Sequence, residues 1–214
     1  MTTILLIRHG QNDFIGRRLA GRTPGVHLNE NGLKQAESLA LLLANVPLKA
    51  IYSSPLERAL ETAAPLARRL NLPVISRPGL QEIDFGSWTG KTIKQMQRMK
   101  AWKIVQEKAS EMTFPRGESF IEAQQRIVAE VQAIGACYEE RDLVACFSHS
   151  DAIKLGIAFF LGMPLDNFQR LSIDLTSLTV LNLPGEGQPH FWLINQVPGL
   201  EFKPPEERKK EKKP

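Results

Sequence analysis

The 214-residue chain is 43% hydrophobic and 23% charged, enough apolar material for one sizeable core with small additions. Its net charge of +4 gathers at the end: residues 203–214 hold six Lys/Arg against three Glu, leaving the rest near neutral at +1, so bulk basicity gives no reason to expect a nucleic-acid partner. Two cysteines, Cys137 and Cys146, are too few for a disulfide framework and lack metal-ligand spacing.

The chain opens with "MTTILLIRHG", in which only four apolar residues are consecutive and no basic leader precedes them. Neither a signal peptide nor a membrane span of roughly 20 apolar residues is expected, and a cytoplasmic location is. "TILLI" reads as a short buried strand. Leu33, Ala36, Leu39, Ala40 and Leu43 then recur at helical spacing, predicting a helix from Glu30 to Asn45 with one buried face. "KAIYS" is a second strand. It runs into "SPLE", where Ser54 as N-cap, Pro55 as first helical residue and Glu57 as reciprocal partner suggest a capping box and a helix through Arg69.

"LPVIS" is a third strand, and the Gly-rich stretch from Gly79 to Gly90 is a loop. Helical character returns near Thr92, "FPRGES" interrupts it, and a long helix begins near Ser119, its candidate cap. "DLVACF" is a strand and Asp151 to Leu161 a helix; "LSIDLTSLTVLNL" and "HFWLINQ" follow as two strands joined by a "PGEGQP" turn. The tail from Lys203 to Pro214 is charged, Pro-rich and lacks apolar residues, which predicts disorder beyond a single domain over residues 1–202. Strands alternating with helices imply an α/β sandwich around a largely parallel sheet.

In such sheets ligands bind outside the carboxyl ends of the strands. Arg8 and His9 follow the first strand there, Arg58 lies in the first turn after the second, and His149 follows "LVACFS". Helix N-termini at Ser54 and near Ser150 add free N–H groups and a positive dipole end. Together these suit a dianion such as phosphate. Arg58 alone also fits a helix-surface pair with Glu57 or Glu61. A metal site fits poorly, since no HxH or HxxxH spacing occurs and Arg8 would repel a cation.

The segments "LIRHG" (6–10), "LNENGLKQA" (28–36), "YSSPLERALETA" (52–63), "LQEIDFGSWTG" (80–90), "PRGES" (115–119) and "SHSD" (148–151) resemble, in this order, the histidine phosphatase superfamily, also called phosphoglycerate mutase-like. The resemblance spans residues 3–195 and implies a three-layer αβα sandwich around a largely parallel mixed sheet. It implies His9 as nucleophile forming a phosphohistidine, and Arg8, Arg58 and His149 as binders of the phosphoryl oxygens. Glu82 would be the general acid and then base, with Asp84 a nearby competitor. Phe85, Trp88 and Gly90 read as loop packing, and Glu118 and Ser119 match a position near the substrate mouth. No metal or organic cofactor is implied. The implied partner is a small-molecule phosphomonoester, with neither nucleic acid nor membrane, and a homodimer is allowed.

Two departures bear on substrate choice. Ile15 stands where many members carry a phosphate-holding Asn, leaving Asn12 as a substitute, and Gln11 stands where Glu is common. Ser150 replaces a Gly whose backbone amide approaches phosphate, so its own amide or hydroxyl must serve. Only Lys91 to Pro115 separates the acidic loop from the later helix, short for a mutase lid. That favours phosphatase chemistry over phosphoglycerate mutase-type transfer, with a non-enzymatic phospho-ligand or nucleic-acid binding module third. Lys91, Lys94, Arg98, Lys100, Lys103, Lys108 and Arg116 make this segment basic, either to steer an acidic metabolite or as a solvated helix face.

Overall fold

In the computed structural model, residues 2–197 are described; the tail expected over residues 203–214 lies outside them. In chain order the elements are β1 (Thr2–Arg8), α1 (Glu30–Leu42), β2 (Leu48–Ser53), α2 (Glu57–Leu70), β3 (Val74–Ser76), α3 (Ile93–Gln97), α4 (Trp102–Glu107), α5 (Phe120–Gly135), β4 (Leu143–Ser148), α6 (Ser150–Phe160), β5 (Leu178–Leu183) and β6 (His190–Gln196). They build a six-stranded sheet in the order β3-β2-β4-β1-β5-β6. β3, β2, β4 and β1 are mutually parallel, and only β5 runs against its neighbours.

Successive strand residues point to opposite faces, and the core divides accordingly. Ile4, Leu6, Ala50, Tyr52, Val144 and Cys146 pack with α5, α6 and the segment after the acidic loop. Leu5, Ile7, Ile51, Ala145 and Phe147 pack with Leu39 and Ala40 of α1 and Ala63 and Leu66 of α2. The result is the three-layer αβα sandwich expected. The central strands are apolar on consecutive residues because both faces are covered.

Several boundaries differ from the sequence reading. Helix α1 ends at Leu42 rather than Asn45, and Leu33 is exposed while Ala36, Leu39, Ala40 and Leu43 are buried. Gly32, not Leu33, faces inward in the first turn, because a Cβ there would collide with the Gln11 carbonyl. The capping box at Ser54 is not formed. Leu56 is the N-cap of α2 without a side-chain bond, since Ser54, just past β2, stays tied to β4 with its N–H donating to Phe147 O at 2.9 Å. Glu57 instead accepts from the Gly25 N–H at 2.9 Å. Ser119 does cap α5, in a reciprocal box with Glu122.

The third strand is shorter than "LPVIS", and only Leu178–Leu183 of "LSIDLTSLTVLNL" is strand. Residues 171–177 cross the end of β1, where the Thr176 N–H donates to Arg8 O at 3.1 Å. The basic segment after the acidic loop forms α3 and α4. Lys94, Arg98, Lys100, Lys103 and Lys108 are exposed, with Lys103 and Lys108 paired to Glu107 and Glu111, the solvated-face arrangement. No helix among the described residues is long and apolar enough to cross a membrane.

Candidate active site

The carboxyl ends of β1, β4 and β2 lie side by side, and the register Arg8↔Ser148 sets the residues that follow. The His9 N–H continues the ladder by donating to Ser148 O at 3.0 Å, which brings the His9 and His149 rings to 5.2 Å. Gly10 turns the chain away against the start of α1, where a Cβ would press on Gly32 O. Its N–H donates to Thr62 Oγ1 at 2.9 Å, and that hydroxyl donates to Arg58 O at 2.6 Å. One threonine thus ties the loop carrying His9 to the helix carrying Arg58.

A cavity of about 250 Å³ opens here, with Arg8, His9, Asn12, Arg58, Glu82 and Ser150 on its wall and Ile15, Arg18, Leu19, Phe85 and Asp151 among its other neighbours. His149 is wholly buried behind His9. Gln11 lines a separate hollow with Asn31, Lys34 and Gln35, so the expected group converges except for Gln11. Asp84 is also outside the wall: its Oδ1 accepts from the Gly86 N–H at 2.9 Å and its side chain is 42% exposed.

The hydrogen bonds fix what each side chain offers. His9 Nδ1 lies 2.7 Å from Gly10 O, an acceptor only, so Nδ1 carries the proton and the Nε2 lone pair is free. Ser54 Oγ accepts from the Leu56 N–H at 3.3 Å and sits 2.8 Å from His149 Nε2. We assign the hydroxyl hydrogen to Nε2, which gives it an acceptor and leaves the His149 proton on Nδ1. Arg8 Nη1 donates to Ile173 O at 2.6 Å and Arg58 Nη2 to Gly21 O at 2.7 Å, which anchors one end of each guanidinium. Asn12 Oδ1 accepts from the Phe14 N–H at 3.0 Å, leaving its amino group available.

Eight buried side-chain polar atoms among the described residues have no hydrogen-bond partner, and five are nitrogens of this cluster: Arg8 Nε, Arg58 Nε and Nη1, Asn12 Nδ2 and His149 Nδ1. Leaving buried donors unmade is costly, about 1–3 kcal/mol each. Five such donors grouped around one cavity can hold an oxyanion. Asn12 brings its unpartnered amino group to this wall, whereas Ile15 lines it with carbon alone.

Burial and the charges of Arg58 and Arg8 hold both His9 and His149 well below the ordinary histidine value, so both rings are neutral. Burial, reinforced by Asp151, pushes Glu82 up to about 7 despite the Ile83 N–H and the same two arginines. A neutral imidazole with a free nitrogen lone pair, two arginines and a carboxyl that carries its proton near neutral pH thus share one cavity. No group of three or more His, Cys, Asp or Glu forms a metal cluster among the described residues.

Matching this geometry, the family model for the histidine phosphatase superfamily (branch 1) covers residues 4–196. The chain belongs to the histidine phosphatase superfamily. It is 34% identical over 204 residues to the bifunctional protein Rv2228c of Mycobacterium tuberculosis, covering 92% of this chain and 54% of that protein. The chain thus spans about half the length of that relative. It is 28% identical to phosphoserine phosphatase 1 of Hydrogenobacter thermophilus, covering 86% of this chain and 87% of the relative. The solved structure of Bacillus stearothermophilus YhfR superposes with a TM-score of 0.85 at 32% identity, over 92% of this chain and 98% of that one.

Two arginines behind the wall, Arg22 and Arg126, escaped sequence reasoning. Arg22 Nε donates to Glu82 O at 2.9 Å, and Arg126 Nη1 donates to Gly79 O and Gln81 O at 2.9 and 3.0 Å. Glu118 Oε1 receives Arg22 at 2.9 Å, Arg126 at 2.6 Å and the Asp84 N–H at 2.8 Å. Glu118, matched above to a position near the substrate mouth, braces the acidic loop through these bonds. Gly117 permits it, because a Cβ there would collide with Asp84 O.

Proposed function

We propose that the protein is a phosphomonoester hydrolase acting through a phosphohistidine on a small phosphorylated compound. The carrying observation is the neutral His9, its Nε2 free, beside five unpartnered donors and a Glu82 carboxyl at about 7. His9 Nε2 attacks phosphorus as the bond to the ester oxygen breaks, and Glu82 gives its proton to that oxygen, releasing the alcohol. Arg8, Arg58, Asn12 and His149 Nδ1 hold the equatorial oxygens as their charge redistributes. Glu82, now a carboxylate, takes a proton from water. The water oxygen then attacks phosphorus, the N–P bond breaks, and phosphate leaves with His9 restored.

Hydrolysis is preferred to transfer between phosphoglycerates because α3 and α4 form a short cover. Met96 and Val105 of these helices are buried in the core. The Ser150 amide, at the first position of α6 and on the cavity wall, supplies the close N–H that a glycine gives elsewhere.

The test is phosphate release from a set of phosphomonoesters, with 3-phosphoglycerate added as a competing acceptor. Release of inorganic phosphate, abolished in His9→Ala and slowed at least 10²-fold in Arg58→Ala, is expected. Predominant transfer to the glycerate would replace the reading with a mutase.

A further inference from the structure

A second cavity of about 240 Å³ adjoins the catalytic one, and Arg18, Leu19, Phe85 and Asp151 belong to the walls of both. Its interior is carbon: Trp88, Ile93, Met96, Trp102, Val105 and Phe114. Polar groups appear among Arg18, Gln106, Asp151 and Gln169. Asp151 is neutralised by Lys154 at 3.3 Å, and the same ammonium lies 3.4 Å from Gln169. Arg18 Nη1 donates to Gly90 O at 3.3 Å. Arg18 stands at the junction of the two cavities, and the lining beyond it carries no cationic side chain.

The aromatic walls are braced from behind. Phe114 stands edge-on to Phe85, Trp88 and Phe120, with ring centroids 5.0, 5.4 and 5.3 Å apart. Such contacts hold rings in place, so the space is set by rigid side chains. An apolar cavity of about 150 Å³ accepts benzene, and the chamber is larger.

We infer that this chamber binds the leaving group of the ester, and that the substrate is the monophosphate of an apolar alkyl or arylalkyl alcohol rather than of a carboxylated metabolite. The inference rests on the phosphatase reading. The phosphoryl group fills the donor-lined cavity, and the ester oxygen faces Glu82. The carbon chain passes Phe85 and Leu19 into the space bounded by Trp88 and Trp102. A carboxylate carried past Arg18 into the deeper part of the chamber would lie against indole and methionine, where burying an unpaired charge is costly.

Two measurements test this. Binding of alkylphosphonates from methyl to hexyl, followed by calorimetry, reports the chamber without turnover. Kd should fall about fourfold per methylene until the chamber is filled. Trp102→Ala should flatten that slope to twofold or less and Trp102→Phe should restore most of it; the ratio of methyl to hexyl Kd is independent of how much of a variant is folded. Turnover of the matching phosphate esters against phosphoserine tests the substrate class, with hexyl phosphate expected to exceed phosphoserine at least tenfold in kcat/KM. A Kd independent of chain length, or a preference for phosphoserine, overturns the inference. Graded phosphonate binding with no ester turned over keeps the chamber and overturns the phosphatase reading instead.

Discussion

In the proposed mechanism Glu82 first gives a proton and then takes one, and its surroundings suit both steps. Buried beside Asp151, yet facing Arg8 and Arg58, it is held at about 7, near the value that serves an acid and a base equally well. Glu82→Gln keeps shape and the Ile83 N–H bond but cannot exchange a proton. Burst-phase phosphorylation by an alkyl phosphate should fall roughly 10²- to 10⁴-fold, and by an activated aryl phosphate far less, because a phenolate leaves unaided. Equal losses would remove Glu82 from the acid role. The same residue shapes the pH profile. In the wild type kcat/KM for an alkyl phosphate should decline as pH rises through about 7, where Glu82 loses its proton. The His9 limb must lie on the acid side, below 6.5. An aryl phosphate should lack the basic limb; a basic limb of equal depth for both esters would contradict the assignment.

At the scale of elements, the acidic loop is held by a helix it never pairs with in sequence. Arg126 of α5 grips the carbonyls of Gly79 and Gln81 and, at 3.4 Å, that of Glu82. Removing it should let Glu82 drift, and a displacement of about 1 Å in a catalytic group can cost 10²-fold. Arg126→Ala should therefore slow alkyl ester turnover about 10- to 100-fold and lower stability by about 2–3 kcal/mol in urea unfolding. Arg126→Lys should rescue little, because one ammonium cannot span three carbonyls. Unchanged alkyl-to-aryl rate ratios would show that the clamp supports the fold without placing the acid.

The clamp was illegible in the sequence for a physical reason. Arg126 and Glu130 are four apart, which reads as a mutual helix pair. In the fold Arg126 turns to the 79–82 carbonyls and Glu130 to Arg77 at 2.5 Å. The misread cap at Ser54 has a similar origin: local capping chemistry was present, but the sheet and His149 claimed that residue. By contrast β1, β2 and β4 were plain, because buried parallel strands leave continuous apolar runs. The positions of Arg8, His9, Arg58 and His149 followed from where such strands must end.

For the whole molecule, the site is maintained against the fold's own electrostatic preference. Glu82 binds its proton more tightly folded, at about 7, than at its ordinary 4.5. Ionising it therefore removes stability as pH rises between those values. His9 and His149 are depressed instead, so the stability they permit is present above about 6.5 and lost as pH falls through their folded values. Glu82→Gln should accordingly be more stable than the wild type at pH 8, by about 1–3 kcal/mol, with the advantage vanishing toward pH 4.5. Thermal unfolding at several pH values checks this; an advantage independent of pH would mean that repacking, not charge, is responsible.

The central claim is that phosphorus is transferred to His9. Rapid acid-free quenching during turnover of a labelled phosphomonoester, followed by peptide mapping, tests it most directly. The label should appear on the peptide containing His9, stable to base and released by acid, and Glu82→Gln reacting with an aryl phosphate should accumulate more of it because hydrolysis lacks its base. Label that persists in His9→Ala, or that maps to Glu82 or His149, would contradict the account.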